Sequence, residues 1–257
     1  MRELKPHFCY NNLEEAYMDI NIRFLREPSN MVQYMESTRG VRENLIIEVV
    51  NPDAGGIDLG KLGYKKGKWG HLLRTYVDMD KFNQFRKMCM TSKGVSIGFD
   101  FNRKESGNGS CMRELILTRE SRKKIWTGAK IIWRATELQK RWAADLILVH
   151  RLLESIPNSD IHNITLFIAS AYQSGMYTIP LVTPLFGVSW KEIVPEAHPY
   201  WKILKYRREK YFMPDSPKQK LSPAIIMQEV EKAYREGIPL QPLTIKDCEL
   251  PGLVPLK

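Results

Sequence analysis

The chain has 257 residues, of which 43% are hydrophobic and 26% charged, as in an ordinary globular protein. This composition argues against disordered and fibrous classes, and the length predicts one domain over residues 1–257. The net charge of +10 favours an anionic partner such as a nucleotide or a nucleic acid, without deciding between them. A basic surface with no dedicated partner is the other interpretation.

Membrane and metal signals are missing from the sequence. No apolar stretch reaches the roughly 18 residues of a membrane span, and the N-terminal MRELKPHFCYNN carries charges where a signal peptide is apolar. We therefore expect a cytoplasmic protein without a membrane partner. The four cysteines, at positions 9, 89, 111 and 248, form no CxxC pair, which argues against a zinc site and against disulfide bonds.

The first hundred residues predict a helix, a strand and a second helix. Apolar residues recur at helical spacing over 12–26, which predicts a helix. NLIIEVV (44–50) is a β-branched run that ends at Asn51-Pro52 and predicts a strand. The stretch 53–70 is rich in Gly and Lys and predicts a loop, which is followed by a helical pattern to about residue 90.

The rest of the chain predicts a sheet packed on a long helix. Short apolar runs between turn-like segments predict strands of a mixed or antiparallel sheet at 94–101, 111–118 and 129–135. Residues 137–156 carry one apolar stripe, long enough to be a central helix on that sheet. A strand at 163–173 and helices at 202–212 and 223–237 follow. The predicted fold class is α+β.

Three residues are candidates for a catalytic or ligand-binding role. Cys111 opens an apolar strand, where it is either a small core residue or a nucleophile. Arg134 ends an apolar strand, where its guanidinium needs an anion or an ion pair with Glu137 or Glu154. Asp145 lies within AADLILV, where an isolated carboxylate is costly and must find partners.

The order of motifs along the chain is informative. STRG (37–40) precedes a strand, SKGVSI (92–97) begins another, SC (110–111) opens a third, and RATE (134–137) precedes the long helix. Asp145 follows Arg134 by 11 residues. This order resembles the family of thymidylate synthases and pyrimidine nucleotide hydroxymethylases, which has a phosphate-binding Arg, a nucleophilic Cys, an Arg-Ser-x-Asp turn and a base-reading Asn or Asp in the same sequence. The C-terminal PLTIKDCELPGLVP also resembles the end of the family's chains.

The resemblance implies a thymidylate synthase-like fold, a homodimer and covalent catalysis. In that family a thiolate adds to C6 of the pyrimidine, and C5 then attacks a one-carbon unit carried by 5,10-methylenetetrahydrofolate. The implied nucleophile is Cys111. Arg39 and Arg134 would bind the nucleotide phosphate, and Lys93 would reach it from a second subunit. An exposed turn residue is the alternative for Arg39.

The resemblance also implies the base and the product. Asp145 stands where thymidylate synthases have Asn and cytidylate hydroxymethylases have Asp, which favours dCMP or CMP over dUMP and hydroxymethyl over methyl as the group transferred. An ion pair with Arg141 or Arg151 is the other interpretation of Asp145. Ser170 and Tyr172 occupy the strand segment that contacts the sugar, although Tyr172 is equally typical of a core aromatic. Modified cytosine nucleotides fit phage DNA modification or nucleoside-antibiotic pathways, and a compact, diverged family member favours the phage setting.

The chain departs from the family pattern in several places. Ser92 replaces an arginine, Ala135 a serine and Glu137 an aspartate, and the segment that carries the catalytic glutamate is not recognisable. Replacements for that acid would be Glu43, Glu48 or Asp78, and a folate wall would come from Trp69, Trp126 or Trp142. The alternatives are a folate-independent pyrimidine-modifying enzyme, a synthase acting on dUMP, or a noncatalytic nucleic-acid-binding protein that uses the basic segments 61–68, 119–130 and 202–210.

Overall fold

The structure is a computed structural model that describes residues 8–26, 30–34, 37–101, 111–121, 123–174, 187, 192, 230, 232–234 and 236–256. It has an α+β fold, as predicted. The strands are β1 (Phe8–Asn12), β2 (Asn30–Tyr34), β3 (Ser37–Asn51), β4 (Ser96–Asp100), β5 (Met112–Thr118), β6 (Trp126–Trp133), β7 (Thr136–Glu137) and β8 (Ser159–Ser174). The helices are α1 (Leu13–Arg26), α2 (Lys66–Tyr76), α3 (Met79–Thr91) and α4 (Arg141–Glu154), with 3-10 turns at Leu59–Leu62 and Ile245–Asp247.

All eight strands belong to one mixed sheet. Its order is β1-β3-β8-β6-β5-β4, with β2 paired to β3 and β7 paired to β8. The pairs β3–β8, β4–β5 and β5–β6 are antiparallel, whereas β6–β8, β7–β8 and β1–β3 are parallel. The prediction of a mixed sheet is therefore confirmed.

Helix α1 forms where its apolar stripe predicts it. Asn12 caps the helix, since its side-chain oxygen accepts a hydrogen bond from the backbone N–H of Glu15 at 2.8 Å. One face is completely buried, through Leu13, Ala16, Tyr17, Ile20 and Phe24. This face packs into the single hydrophobic core that lies between the sheet and the helices.

Helix α4 is the central helix, and it is shorter than the predicted span of 137–156. Ten of its fourteen residues are buried, so it is surrounded by protein on nearly every side. It begins at Arg141 rather than at residue 137 because Thr136 and Glu137 pair with Ala171 and Tyr172 of β8 as strand β7. A pairing so distant in sequence leaves no local pattern.

The helical region before β4 differs from the prediction. Helix α2 begins at Lys66, inside the predicted loop, and a separate helix α3 begins at Met79. The break lies at Asp78, whose side chain accepts hydrogen bonds from the backbone N–H groups of Asp80 and Lys81 at 3.1 Å each. Strands β1 and β2 were not predicted.

The predicted C-terminal helices can be compared only in small part. The segment 202–212 lies outside the described residues, and within 223–237 the residues 230 and 232–234 are helical. Among the helices that the structure describes, none is both long enough and apolar enough to cross a membrane.

The strand directions bring several strand ends together. Because β6 and β8 are parallel, their C-terminal ends lie at the same edge of the sheet. Antiparallel pairing adds the N-terminal ends of β3 and β5 to this edge. We call this edge the site end of the sheet.

Candidate functional site

Cys111 and Arg134 are neighbours at the site end. Met112 pairs with Trp133 in the β5–β6 ladder, and the backbone N–H of Arg134 donates to the carbonyl oxygen of Cys111 at 2.8 Å. Cys111 is half-buried and Arg134 is exposed. A thiol and a guanidinium group therefore leave adjacent points of the backbone, and the guanidinium group can bind an anionic ligand.

Asp145 lies on α4 beneath the same strand ends and is completely buried. Its Oδ2 accepts hydrogen bonds from Trp133 Nε1 at 3.1 Å and from Thr136 Oγ1 at 3.4 Å. Its Oδ1 has no hydrogen-bond partner among the described residues. The sequence predicted that this carboxyl would need partners, and the structure gives them to only one of its oxygens.

Burial controls the protonation of Asp145. Removal from water raises the pKa of this carboxyl from 3.8 to about 7, against the smaller lowering effects of Trp133, Arg141, Thr136 and the Tyr76 hydroxyl. Both protonation states are therefore accessible near neutral pH. Arg141 acts only as a nearby charge, because the direct donors to the carboxyl come from the end of β6 and from β7.

Tyr76 is a residue of this cluster that the sequence analysis missed. It ends α2, and the nearby charge of Asp145, followed by burial and by Cys111, raises the pKa of its hydroxyl group. Tyr76 thus lies near both Cys111 and Asp145. Nothing in the local sequence could have indicated this, because the three residues come from separate elements.

Glu137 is also completely buried, but its carboxylate is satisfied. Its oxygens accept hydrogen bonds from the backbone N–H groups of Gln139, Lys140 and Arg141 at 3.2, 2.8 and 3.3 Å. Gln139 and Lys140 belong to the turn that precedes α4, and Arg141 is the first residue of the helix, so Glu137 holds together the turn between β7 and α4. Burial raises the pKa of Glu137, while the three N–H donors lower it.

Ser170 and Tyr172 lie near the C-terminal end of β8 and are half-buried, in contrast to the buried Ile168 before them. The carbonyl oxygen of Tyr172 accepts a hydrogen bond from the backbone N–H of Leu138 at 2.9 Å. The structure describes the backbone of Arg39, which pairs with Ser174. Ser170 and Tyr172 therefore lie at the site end. Ser174 follows Ile168, the partner of Trp133, by six residues, so the backbone of Arg39 lies roughly 20 Å further along β8 at about 3.3 Å per residue.

Lys93 does not lie with the others. It precedes β4, whose first residue pairs with Thr118 at the far end of β5, and the neighbouring Gly94 binds Arg119. The length of β5 separates this position from Cys111, which is roughly 20 Å at about 3.3 Å per residue. Within one chain Lys93 does not approach the site, and its contribution from a second subunit stays a prediction.

The three candidate folate-wall tryptophans are all buried in the core. Trp126 begins β6 at the end opposite to Cys111 and donates its Nε1–H to the carbonyl oxygen of Cys89 at 3.1 Å. Trp69 donates to the carbonyl oxygen of Glu249 at 2.9 Å, and Trp142 packs against Tyr17. None of these side chains is open to stack on a pterin ring.

The acid candidates and metal ligands can also be placed. Asp78 is occupied as the cap of α3, and Glu48 lies on β3 beside Cys9, with 3.9 Å between Cys9 Sγ and Glu48 Oε2. For Glu43 the structure describes the backbone, which pairs with Ser170. In the described part of the chain, no group of three or more His, Cys, Asp or Glu residues could hold a metal ion.

Comparison with known proteins adds no assignment, because neither a family model nor a curated protein matches the chain.

Proposed function

We propose that this chain is a pyrimidine nucleotide C5 hydroxymethylase with a thymidylate synthase-like fold, acting on dCMP or CMP. The observation that carries the proposal is the meeting of Cys111, Arg134 and Asp145 at one end of the sheet. A nucleophile, a cation and a buried carboxyl with a free oxygen supply what a pyrimidine monophosphate needs. The spacing along the chain and the strand pairing support the same grouping.

Each residue has a defined role in the proposed reaction. The Cys111 thiolate adds to C6, which breaks the C5=C6 double bond and makes C5 nucleophilic. C5 bonds to the one-carbon unit and loses its proton, and the bond between that carbon and its carrier breaks with the electron pair leaving on the carrier. Water then adds to the carbon to give the hydroxymethyl group, and departure of the thiolate restores the double bond. A one-carbon unit at the oxidation level of formaldehyde, which methylenetetrahydrofolate supplies when bound, makes these steps redox-neutral.

Arg134 binds the 5′-phosphate in this proposal, and Tyr172 and Ser170 contact the sugar. The assignment of Arg39 to the phosphate stays a prediction. Asp145 reads the base edge. We expect Arg134→Gln to weaken binding of dCMP about tenfold or more while leaving binding of deoxycytidine unchanged, because charge-assisted bonds to a phosphate are the stronger ones. Lys130→Gln, an exposed position on the same strand, is the control. Equal losses for both ligands would refute the phosphate assignment.

The proposed homodimer finds support on the outer face of the sheet. Ile46 is 40% and Val50 60% exposed on β3, and Ile46 pairs with Phe167, which in turn pairs with Ile132. Ile46, Phe167 and Ile132 form a row across the sheet, and Val50 lies four residues further along β3; a second copy of the chain would cover this face. In this arrangement Lys93 would belong to the partner's site.

The test of the function is tritium release from C5-labelled dCMP, CMP and dUMP, with and without methylenetetrahydrofolate. We expect folate-stimulated release from a cytosine nucleotide that disappears in Cys111→Ala and persists in Cys9→Ala, since Cys9 is an exposed thiol on β1. Asp145→Asn should shift the preference towards dUMP. Release that survives Cys111→Ala, or no release from any nucleotide, would refute the proposed chemistry.

A further inference from the structure

The two oxygens of Asp145 are not equivalent. Oδ2 already accepts two hydrogen bonds, from Trp133 at 3.1 Å and Thr136 at 3.4 Å. The indole N–H of Trp133 can only donate, so Oδ2 must serve as an acceptor towards it. Two donors occupy the two lone-pair directions of this oxygen, which leaves no capacity on Oδ2 for a ligand.

Oδ1 is fully buried and makes no hydrogen bond with the described residues, although the Tyr76 hydroxyl group lies close enough to the Asp145 carboxyl to lower its pKa. An unpaired carboxylate oxygen inside a protein is costly, and its cost falls when a ligand donates to it or when it carries a proton. The other such atoms belong to Gln139, Trp142 and Gln173. These groups are neutral, so leaving one of them without a hydrogen bond costs less than leaving a charged carboxylate oxygen without one.

We propose that Asp145 reads the base through Oδ1 alone, and that Trp133 and Thr136 are positioning residues that keep Oδ2 out of the contact. This inference rests on the proposed function. A single oxygen makes one hydrogen bond with the 4-position of a pyrimidine. The ionised form accepts from the 4-amino group of cytosine, and the protonated form donates from Oδ1 to the 4-carbonyl group of uracil.

This reading differs from recognition by both oxygens. A carboxyl group that contacts the base with both oxygens holds one hydrogen-bond partner on each oxygen. Like an amide group, it can then bind either cytosine or uracil after a small change in protonation. A carboxyl group that contacts the base with one oxygen discriminates between cytosine and uracil by its charge, so the preferred base depends on pH. Ionisation above about pH 7 favours cytosine, and protonation below it favours uracil.

Two other groups near Asp145 do not change charge over this range. The pKa of Tyr76 is raised, so its hydroxyl keeps its proton, and the guanidinium of Arg141 remains charged. The phosphate group is common to dCMP and dUMP, so its own ionisation cancels in the ratio of their dissociation constants. A background of Cys111→Ala prevents covalent addition to the base.

The experiment measures Kd for dCMP and dUMP by calorimetry at about pH 6 and pH 8 in that background. The ratio of Kd for dUMP to Kd for dCMP should fall at least tenfold from pH 8 to pH 6. At pH 8, Trp133→Phe should lower this ratio about tenfold, because it frees Oδ2 for a second contact. Thr136→Val should act in the same direction with a smaller effect. Trp126→Phe removes a comparable buried indole bond at the other end of β6 and should leave the ratio unchanged.

The outcomes separate the two proposals. If neither nucleotide binds, or if Asp145→Asn leaves the ratio unchanged, the proposed function fails and the inference with it. A second outcome is that binding depends on Asp145, but the ratio of the two Kd values is the same at both pH values and Trp133→Phe leaves it unchanged, as Trp126→Phe does. In that case only the proposal of recognition through one oxygen is overturned. Should Trp133→Phe fail to fold, the nearly isosteric Thr136→Val decides, and an unchanged ratio in that variant overturns the inference.

Discussion

Replacement of Asp145 by asparagine should reverse its effect on stability between acid and alkaline pH. Folding raises the pKa of this carboxyl from 3.8 to about 7, because the group is removed from water. The folded protein therefore holds a proton that the unfolded chain releases over this range, and stability falls as pH rises from about 4 to about 7. Above pH 7 the loss is complete. A shift of about three units at about 1.4 kcal/mol per unit amounts to about 4 kcal/mol.

Asparagine keeps an acceptor for Trp133 and Thr136 but places an amide where Oδ1 was. That unpartnered amide costs about 2 kcal/mol at every pH. The variant should thus be about 2 kcal/mol less stable than wild type near pH 4 and about 2 kcal/mol more stable near pH 8. The two proteins share Glu137, whose own titration cancels in the difference.

The assay is urea unfolding followed by far-UV circular dichroism at several values of pH between 4 and 8. Asp160→Asn is the control, because the side chain of Asp160 is 81% exposed on β8 and its removal should leave the pH profile unchanged. Parallel profiles for wild type and Asp145→Asn would refute the reasoning, since they would mean that Asp145 is ionised in the folded protein at no cost.

Two further predictions concern stability and assembly. Glu137→Ala should lower the free energy of unfolding by about 3 kcal/mol, because three N–H groups lose their acceptor. Glu154→Ala at the other end of α4 is the control, and it should lower the free energy of unfolding by less than about 1 kcal/mol. Thermal unfolding measures both effects. Val50→Lys should convert the proposed dimer to monomers in sedimentation velocity, and Val254→Lys, which is also exposed but lies in the C-terminal segment, should not. A Val50→Lys dimer would place the interface elsewhere.

The parts of the fold that local patterns encode were predictable. The stripe of α1, the apolar runs of β5 and β6, and the burial of Asp145 within AADLILV all follow from residue periodicity. Strand β7 has two residues, and its existence depends on β8 some 35 residues later, so the start of α4 was misplaced. Sequence order suggested that Cys111 and Arg134 belong together, and the β5–β6 hairpin supplies the physical reason.

The details that decide chemistry were beyond local patterns. The sequence analysis did not single out Trp133, and its hydrogen bond to Asp145 forms only because the fold brings α4 to the end of β6. Tyr76 reaches the cluster from a helix that the sequence merged with its neighbour. Such contacts join residues that are distant in sequence, and a single sequence contains no signal for them.

The two buried carboxylates at the start of α4 show how a structural acid differs from a functional one. Glu137 and Asp145 are equally removed from water, and burial raises the pKa of both. Glu137 offsets that cost with three backbone donors, from the turn before α4 and from the first residue of the helix. Asp145 has two donors on one oxygen and none on the other, so its burial is compensated only in part by the protein. The cost of burying this carboxyl group, beside a half-buried thiol and an exposed arginine, is explained if a ligand completes its hydrogen bonds. The measurements of stability and of base discrimination on Asp145 test that explanation independently.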